Sequence, residues 1–206
     1  LASEELIKNL IKEEMHEILE KFGDVRRTEI IPQEGEILIQ DLIKLEDQIV
    51  TITHKGYIKR MSLDTYRTQK RGGTGVKGAT NEDDFFTNIF VANTHSTLLF
   101  FTNRGVVFSE KVYNVPEGQR TNKGKNLANI ISLPPGEKIK EIICIPDEDK
   151  MDGQYLIFAT EHGIIKKTEL SDYKKIKQSG MKAIKIVDGD AICSVRITNG
   201  NKDVLM

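Results

Sequence analysis

The sequence predicts a mainly β fold, built from repeated units of about 50 residues and preceded by one α-helix. Three observations support this fold class. Apolar residues recur every three or four positions near the start of the chain, which is typical of an amphipathic helix. From Glu36 onward, short β-branched and aromatic runs alternate with Gly, Asn, Asp and Pro, as in a domain of short strands. These runs recur three times in the same order, so the β region consists of copies of one unit.

The helix is predicted to cover residues 3–22. Ser3 can cap it, Glu4 and Glu5 suit the positive end of its dipole, and Gly23 can end it in a left-handed conformation. Its apolar stripe consists of Ile7, Ile11, Ile18 and Phe22, with Leu10, Met15 and Leu19 beside it. Because a helix of this length needs an apolar surface to cover the stripe, two interpretations stay open. It is a surface helix packed on other structure, or the end of an antiparallel coiled coil whose partner precedes Leu1.

Each repeat contains an apolar strand, a T-x-x-G turn, a second strand and a tyrosine. The copies are residues 49–66, 98–113 and 155–173, with marker glycines at Gly56, Gly105 and Gly163. The two residues before each glycine predict a tight hairpin turn with the glycine at positive φ. These pairs are His54-Lys55, Asn103-Arg104 and Glu161-His162. Each copy continues through a second glycine (Gly75, Gly124, Gly180) to a closing strand at 87–93, 140–146 or 190–197.

A unit of about 50 residues with four short strands has the size of a propeller blade, and blades stacked around an axis bury their faces on one another. We therefore expect residues 1–32 to form a helical segment and linker. Residues 33–206 are expected to form a partial propeller, with three blades and the start of a fourth, inside a longer chain. The recurring tyrosines, Tyr66, Tyr113 and Tyr173, are interpreted as packing residues.

Composition disfavours several classes of function. Cys144 and Cys193 lie in the apolar runs IICIP and AICSV, and are predicted to occupy equivalent buried positions in the last two repeats. With no C-x-x-C motif and four scattered histidines, no zinc site is expected. No run approaches the ~18 apolar residues that a membrane span needs, so we expect a cytoplasmic protein without membrane contact. Four aspartates are interpreted as solvated loop residues: Asp83, Asp84, Asp147 and Asp149.

Basic charge recurs once per repeat, although the net charge of the chain is −1. Residues 54–78, 104–125 and 162–185 carry net charges of +6, +3 and +5, whereas 79–103 carries −3 and 126–161 carries −4. Equivalent segments of stacked blades lie on one rim, so the three blocks predict a curved cationic stripe. Such a stripe suits a bent polyanion, and duplex DNA carries about one charge per 1.7 Å of its axis. The alternative is that these lysines only keep the protein soluble.

The segment QKRGGTGVKG, residues 69–78, places three cations and four glycines in ten positions of the first block. It does not fit a nucleotide-binding loop, since Gly73 and Gly78 have the spacing but Ala79 and Thr80 replace the required Lys and Ser or Thr, and no helix follows. It fits a loop on a nucleic-acid backbone, because its glycines let the main chain approach phosphates closely while its cations supply charge.

This segment also carries a family resemblance. QKRGGTG resembles the Q-R-R-G-G-K-G box of the DNA gyrase A C-terminal domain. The likeness extends over the whole chain: EKFGDVRRTEI resembles the end of the coiled coil that leads into that domain, and GYIKRMSLDTYRTQKRGG, STLLFFTNRG and VPEGQRTNKG resemble its first two blades. Lys70 replaces an arginine of the box, which loses a planar hydrogen-bonding fork, and Thr74 replaces a lysine, which removes a charge.

The resemblance implies a strand-swapped propeller, the β-pinwheel, that wraps duplex DNA so that an ATP-dependent type IIA topoisomerase introduces negative supercoils. It implies partners, namely gyrase B and a second copy of gyrase A in an A2B2 assembly, and a bacterial, nucleoid-associated location. It implies that the holoenzyme uses ATP and Mg, while this part of the chain carries no cofactor and no catalytic residue.

The charge pattern and the resemblance together assign DNA contact to one set of residues. Two alternatives stay open, namely the corresponding C-terminal domain of topoisomerase IV and a propeller that binds protein. The assigned residues are Lys59, Arg60, Gln69, Lys70, Arg71, Gly72, Gly73, Thr74, Gly75, Lys77, Arg104, Arg120, Lys123, Lys125, Lys166, Lys167, Lys174, Lys175 and Lys177.

Overall fold

The computed structural model of the chain describes residues 3–24, 27–28, 39–63, 84–146 and 151–202. It divides into two compact units, Leu1–Leu38 and Ile39–Met206. The boundary expected after residue 32 lies outside the described residues.

The first unit contains one α-helix, α1, at Glu4–Phe22. Its start and end agree with the sequence, and the Ser3 side chain accepts a hydrogen bond from the Leu6 N–H at 3.3 Å. The prediction of a left-handed stop is wrong, because Gly23 is extended with φ −68°. Its N–H donates to the Leu19 carbonyl, and a Cβ at Gly23 would fall 2.3 Å from that oxygen, so a glycine is still needed. The partner expected for the exposed apolar stripe stays a prediction.

The second unit is built from eleven described strands. They are β1 Asp47–Thr53, β2 Tyr57–Ser62, β3 Phe86–Asn93, β4 Thr97–Thr102, β5 Val106–Lys111, β6 Lys125–Asn126, β7 Ile139–Ile145, β8 Tyr155–Thr160, β9 Ile165–Glu169, β10 Met181–Lys182 and β11 Ile192–Thr198. Short 3₁₀ helices occupy Ile39–Leu42, Val112–Asn114, Leu127–Asn129 and Leu170–Tyr173.

These strands form three antiparallel sheets in the orders β3-β1-β2-β6, β10-β5-β4-β7 and β11-β8-β9. The central hairpin and closing strand of each sheet come from one repeat. The outermost strand of the first sheet, β6, comes from the second repeat, and that of the second sheet, β10, comes from the third. The unit of four strands is therefore shared between consecutive repeats, as in a strand-swapped propeller.

The T-x-x-G motif closes each hairpin with the same two hydrogen bonds and the same glycine conformation. The glycine N–H donates to the threonine carbonyl, the glycine has φ between 79° and 84°, and the threonine hydroxyl accepts the N–H of the residue after the glycine. The predicted positive φ is confirmed. No described non-glycine residue has a positive φ, so these are type I turns that end in a left-handed glycine, with three loop residues rather than two.

The closing strand of every repeat contains one bulge opposite the threonine. The pairing skips Thr87 in β3, Lys140 in β7 and Cys193 in β11. The prediction of a buried Cys193 is therefore wrong, because a bulged residue is not held on the core face, and Cys193 is exposed. The register also shows that Cys144 corresponds to Ile197 and not to Cys193. Cys144 is half-buried against the core, and burial raises the pKa of its thiol.

The core consists of two apolar clusters that lie between successive sheets. Strand β4 contributes to both clusters because its side chains alternate between the two faces of the second sheet. Leu98 and Phe100 pack with Val50 and Ile58 of the first sheet, whereas Leu99 and Phe101 pack with residues of the third. Every residue of β4 is buried. The second sheet is thus covered on both faces, which is how stacked blades are stabilised.

The recurring tyrosines have the packing role that the sequence predicts where the structure describes them. Tyr173 is 2% exposed and its ring lies edge-on to Phe101, and Tyr113 is half-buried with an edge contact to His95. Tyr66 lies outside the described residues.

Candidate nucleic-acid interface

The second basic block crosses to the outer edge of the first sheet, since residues 115–124 lead into β6 there. Arg60 in β2 holds the start of this segment: its N–H donates to the Pro116 carbonyl and its carbonyl accepts the Gly118 N–H, both at 3.0 Å. Its side chain continues the contact, with Nε donating to the Val115 carbonyl at 2.8 Å and the guanidinium 3.6 Å from the Glu117 carboxylate. Arg60, assigned to DNA contact by the sequence, is therefore engaged within the protein.

Lys59, which the sequence assigned to DNA contact, is buried. It is 2% exposed, and its Nζ donates to the carbonyls of Gln119, Arg120 and Asn122 at 3.1, 2.9 and 2.6 Å. Burial lowers the pKa of this ammonium, while the three carbonyls satisfy its three N–H donors. The sequence assigned Lys59 to phosphate contact by counting charge, which does not distinguish a buried ammonium from an exposed one.

The remaining cations of this segment lie at the surface. Lys125 is exposed in β6, and the Nζ of Lys123 lies 4.1 Å from the centre of the Tyr57 ring, a cation–π contact. Arg120 is half-buried, and among the described residues its Nε has no hydrogen-bond partner. The first sheet thus presents charge from the second repeat at its outer edge.

The third basic block lies at the outer edge of the second sheet, as the second block lies at the outer edge of the first. Residues 174–180 lead into β10, which pairs with β5 at that sheet's outer edge. Lys175 and Lys177 are exposed, and Lys174 lies 3.0 Å from the Asp152 carboxylate. Lys182, in β10, is a further exposed cation that the sequence-based assignment missed. The signal was available, because Lys182 stands two residues after Gly180, next to the position that corresponds to Lys125.

On the third sheet, cations lie on β9 itself. The Lys166 Nζ donates to the Ala183 carbonyl at 2.6 Å, and the Lys167 Nζ lies 4.3 Å from the centre of the Tyr155 ring. Arg104 is exposed in the β4–β5 turn, which is not part of the strand-exchanged edge. Residues 69–77, including the box Gln69–Gly75 and Lys77, lie outside the described residues.

Asp84 contradicts the expectation of a solvated aspartate, because it is 5% exposed. Its carboxylate accepts the Lys55 N–H at 3.1 Å. Burial opposes the ionised form, but the hydrogen bonds from Lys55 and Thr53 and the nearby ammonium groups keep the pKa of Asp84 below its ordinary value. Asp190 occupies the corresponding position in the third repeat and accepts the His162 N–H at 3.0 Å. Asp83, Asp147 and Asp149 lie outside the described residues.

The described residues contain no group of three or more His, Cys, Asp or Glu placed to hold a metal ion. In the same part of the chain, no helix has the length and hydropathy that crossing a membrane requires. A cleft of about 430 Å³ lies between the first two sheets at the end that carries the hairpin turns, lined among others by His54, Asn88, Leu127 and Lys140.

Blades that exchange their outer strands and carry cationic segments at the exchanged edge define the class: a strand-swapped propeller domain with cationic outer edges. Comparison with known proteins identifies the family. The family model described as DNA gyrase C-terminal domain, beta-propeller, matches residues 47–93, 96–146 and 154–199, which are the three repeats. The chain belongs to the DNA gyrase C-terminal domain family.

The relatives agree with this assignment. The chain is 46% identical to DNA gyrase A of Clostridium acetobutylicum over 207 residues, and 44% identical to that of Halalkalibacterium halodurans. Both alignments cover 100% of the chain and 25% of the relative, so the chain spans about a quarter of the length of these proteins.

Solved structures show the same fold. A crystal structure of the C-terminal domain of DNA topoisomerase IV has a TM-score of 0.65 at 33% identity, covering 77% of this chain and 47% of that one. A structure of the DNA gyrase A C-terminal domain has a TM-score of 0.56 at 30% identity, covering 74% and 48%.

Proposed function

We propose that this domain binds duplex DNA along the strand-exchanged edges of its blades and bends the DNA around them. The observation that carries the proposal is the placement of the second and third basic blocks at the outer edges of the first and second sheets. Identical placement on successive blades converts separate lysine clusters into one curved surface. A curved array of cations suits a polyanion that follows the same curve.

The energetics favour backbone contact without sequence recognition. Lysine and arginine side chains that neutralise phosphates release condensed counterions, and this release supplies affinity independently of base sequence. Bending costs on the order of 1 to 6 kcal/mol for a turn of about 40 to 90° in 20 to 30 base pairs. Several phosphate contacts per blade offset this cost.

Burial narrows the set of residues that we propose to contact DNA. Lys59 is removed from it because it is 2% exposed, and Arg60 because its side chain is only 19% exposed and donates to the Val115 carbonyl. Lys182 is added because it is exposed on the exchanged strand of the second sheet. The proposed contacts of the described residues are Arg120, Lys123, Lys125, Lys174, Lys175, Lys177 and Lys182, with Lys166 and Lys167 on the third sheet and Arg104 at a turn. The segment 69–77 contributes the first block on the basis of its sequence.

Membership of the DNA gyrase C-terminal domain family supports a proposal for the whole protein. We propose that the domain delivers bent DNA to an ATP- and Mg-dependent type IIA topoisomerase that introduces negative supercoils, in an A2B2 assembly with gyrase B, in the bacterial cytoplasm with the nucleoid. The fold likeness includes topoisomerase IV. The segment QKRGGTG favours the gyrase function, because a glycine-rich cationic loop lets the backbone approach phosphates at the first blade.

The test is the salt dependence of binding to a short duplex by the full-length protein, measured by fluorescence anisotropy. With roughly six or more phosphate contacts, log K should fall against log salt with a slope of about −5 or steeper. The double substitution Lys175→Gln and Lys177→Gln should reduce this slope by about 1.8, since each phosphate contact contributes about 0.9. The control pair Lys138→Gln and Lys140→Gln, on the closing-strand side, should leave it unchanged. A flat salt response of the unsubstituted protein would refute the proposal and favour a propeller that binds protein.

A further inference from the structure

Each of the three N–H donors of the Lys59 ammonium has a carbonyl acceptor in a turn of the following repeat. A lysine has three N–H donors and no acceptor. The carbonyls of Gln119, Arg120 and Asn122 converge on the Nζ within 3.1 Å. Three carbonyls pointing at one interior position would repel one another and lack partners without a cation there. The conformation of this turn therefore depends on Lys59.

The alkyl part of Lys59 fits closely under the same segment. A Cβ placed on Gly118 would lie 3.2 Å from the Lys59 Cδ. A Cβ on Gly124 would lie 3.2 Å from the Lys59 Cβ and 2.6 Å from the Ile58 carbonyl oxygen. Both ends of the turn thus use glycine to let the main chain pass directly over the lysine. The side chain is enclosed along its whole length, in agreement with its 2% exposure.

The corresponding positions of the other sheets show what is particular to Lys59. Strand register equates Lys59 with Phe108 in the second sheet and Lys166 in the third. A Cβ on Gly180 would lie 2.7 Å from Phe108, so the second sheet holds its exchanged segment by apolar contact. An aromatic ring therefore suffices to pack the segment. The hydrogen bonds from the Lys59 ammonium also fix the orientations of three peptide groups, which apolar packing alone does not fix.

We propose that Lys59 is a positioning residue for DNA binding: it contacts no phosphate, and it holds the 118–124 turn so that the side chains of Arg120 and Lys123 leave the backbone in fixed directions. This inference rests on the proposed function of the interface. The carbonyls that Lys59 binds belong to Arg120 itself, to its neighbour Gln119, and to Asn122, which precedes Lys123. Fixing these peptide groups fixes the directions in which the two cationic side chains leave the backbone.

The test uses Lys59→Met and Lys59→Phe in the full-length protein. Methionine keeps the apolar length without the donors. Phenylalanine is the residue that the second sheet accommodates at this position, so it keeps the domain folded if methionine does not. Loss of the fixed directions of Arg120 and Lys123 should reduce the salt slope of DNA binding by about 1.8, at about 0.9 per contact. The control Lys123→Met removes one surface cation and should reduce the slope by about 0.9.

A second readout does not involve DNA. Trypsin cleavage after Arg120 and Lys123, followed by mass spectrometry, should be about tenfold or more faster in the Lys59 variants, because proteolysis follows the population of the opened turn. For the control, cleavage after Arg120 should match that of the unsubstituted protein. In a Lys59 variant that circular dichroism shows to be folded, either of two results overturns the positioning role. One is an unchanged cleavage rate, and the other is a salt slope reduced no more than in the control. A flat salt response of the unsubstituted protein refutes the proposed function itself, whereas a failure confined to the Lys59 variants refutes only this inference.

Discussion

At the scale of single residues, buried polar side chains in this domain act on the main chain. Thr53 and Asp84 together fix one hairpin turn: the threonine hydroxyl accepts the Tyr57 N–H, and the carboxylate accepts the Lys55 N–H. The third repeat uses Thr160 and Asp190 in the same way. Because buried carboxylates need such donors, these contacts link the stability of the turns to pH.

Replacing Asp84 by asparagine should flatten the acid side of the stability profile. The pKa of Asp84 is lowered in the folded protein, so the unfolded chain binds more protons at low pH. Its ionised form therefore stabilises the fold at pH values above its ordinary pKa of 3.8, and this stabilisation is lost as the pH falls through the lower folded-state pKa. Asp84→Asn keeps the oxygen that accepts the Lys55 N–H but does not titrate.

Urea unfolding of the full-length protein at a series of pH values down to about 2 measures this effect. The free energy of unfolding should fall less steeply with decreasing pH in Asp84→Asn than in the unsubstituted protein. Asp24→Asn, at an exposed aspartate after α1, serves as the control and should keep the original steepness. Parallel curves for Asp84→Asn and the unsubstituted protein would contradict the assignment.

At the scale of elements, the helix and most strands were predictable because their signals are local. The α1 stripe and the T-x-x-G hairpins depend on residues close in sequence. The bulges at Thr87, Lys140 and Cys193 were not predictable, because a bulge is defined by pairing with a distant strand. The predicted equivalence of the two cysteines was wrong because Cys193 is itself the bulged residue, whereas Cys144 lies four residues after the bulge at Lys140.

The exchanged strands depend on glycines that allow close contact with the preceding sheet. Gly124 has φ +90°, and an added Cβ would lie 2.6 Å from the Ile58 carbonyl oxygen. Gly124→Ala therefore combines left-handed strain with displacement of the exchanged segment, and should lower the free energy of unfolding by about 3 kcal/mol. Gly136→Ala is the matched control: its φ is +82°, no described atom lies within 4 Å of the added Cβ, and the expected loss is about 1 kcal/mol. Equal losses in denaturant titrations would show that the exchanged strand tolerates displacement.

At the scale of the whole molecule, counting charge by repeat located the cationic segments but did not show which of their cations are buried. The net charge of a segment predicts a field, and this prediction does not require knowing which side chains are buried. Lys59 was misassigned because strand exchange brings a turn from the next repeat over it. That contact joins residues about 60 positions apart. The cationic regions can thus be predicted from composition, whereas the exposure of each cation depends on the strand topology.

If the DNA follows the curved rim, binding should change the linking number of closed circles. A nicked circle sealed by ligase in the presence of the full-length protein should yield topoisomers shifted relative to those sealed without protein, in the positive direction that the family resemblance implies. The shift should grow with the ratio of protein to DNA and disappear when salt weakens the phosphate contacts.

Two variants make this measurement specific. Replacing Gln69 to Gly75 by alanines removes Lys70, Arg71 and the glycines of the box. This variant should abolish the shift while leaving salt-sensitive binding through the other blocks. Lys138→Gln with Lys140→Gln keeps the proposed rim intact and should retain the full shift. Strong salt-sensitive binding by the unsubstituted protein with no change in linking number would mean that the DNA lies across the blades without following their curve. The bending part of the proposed function would then be wrong, although the cationic edges would still be its binding surface.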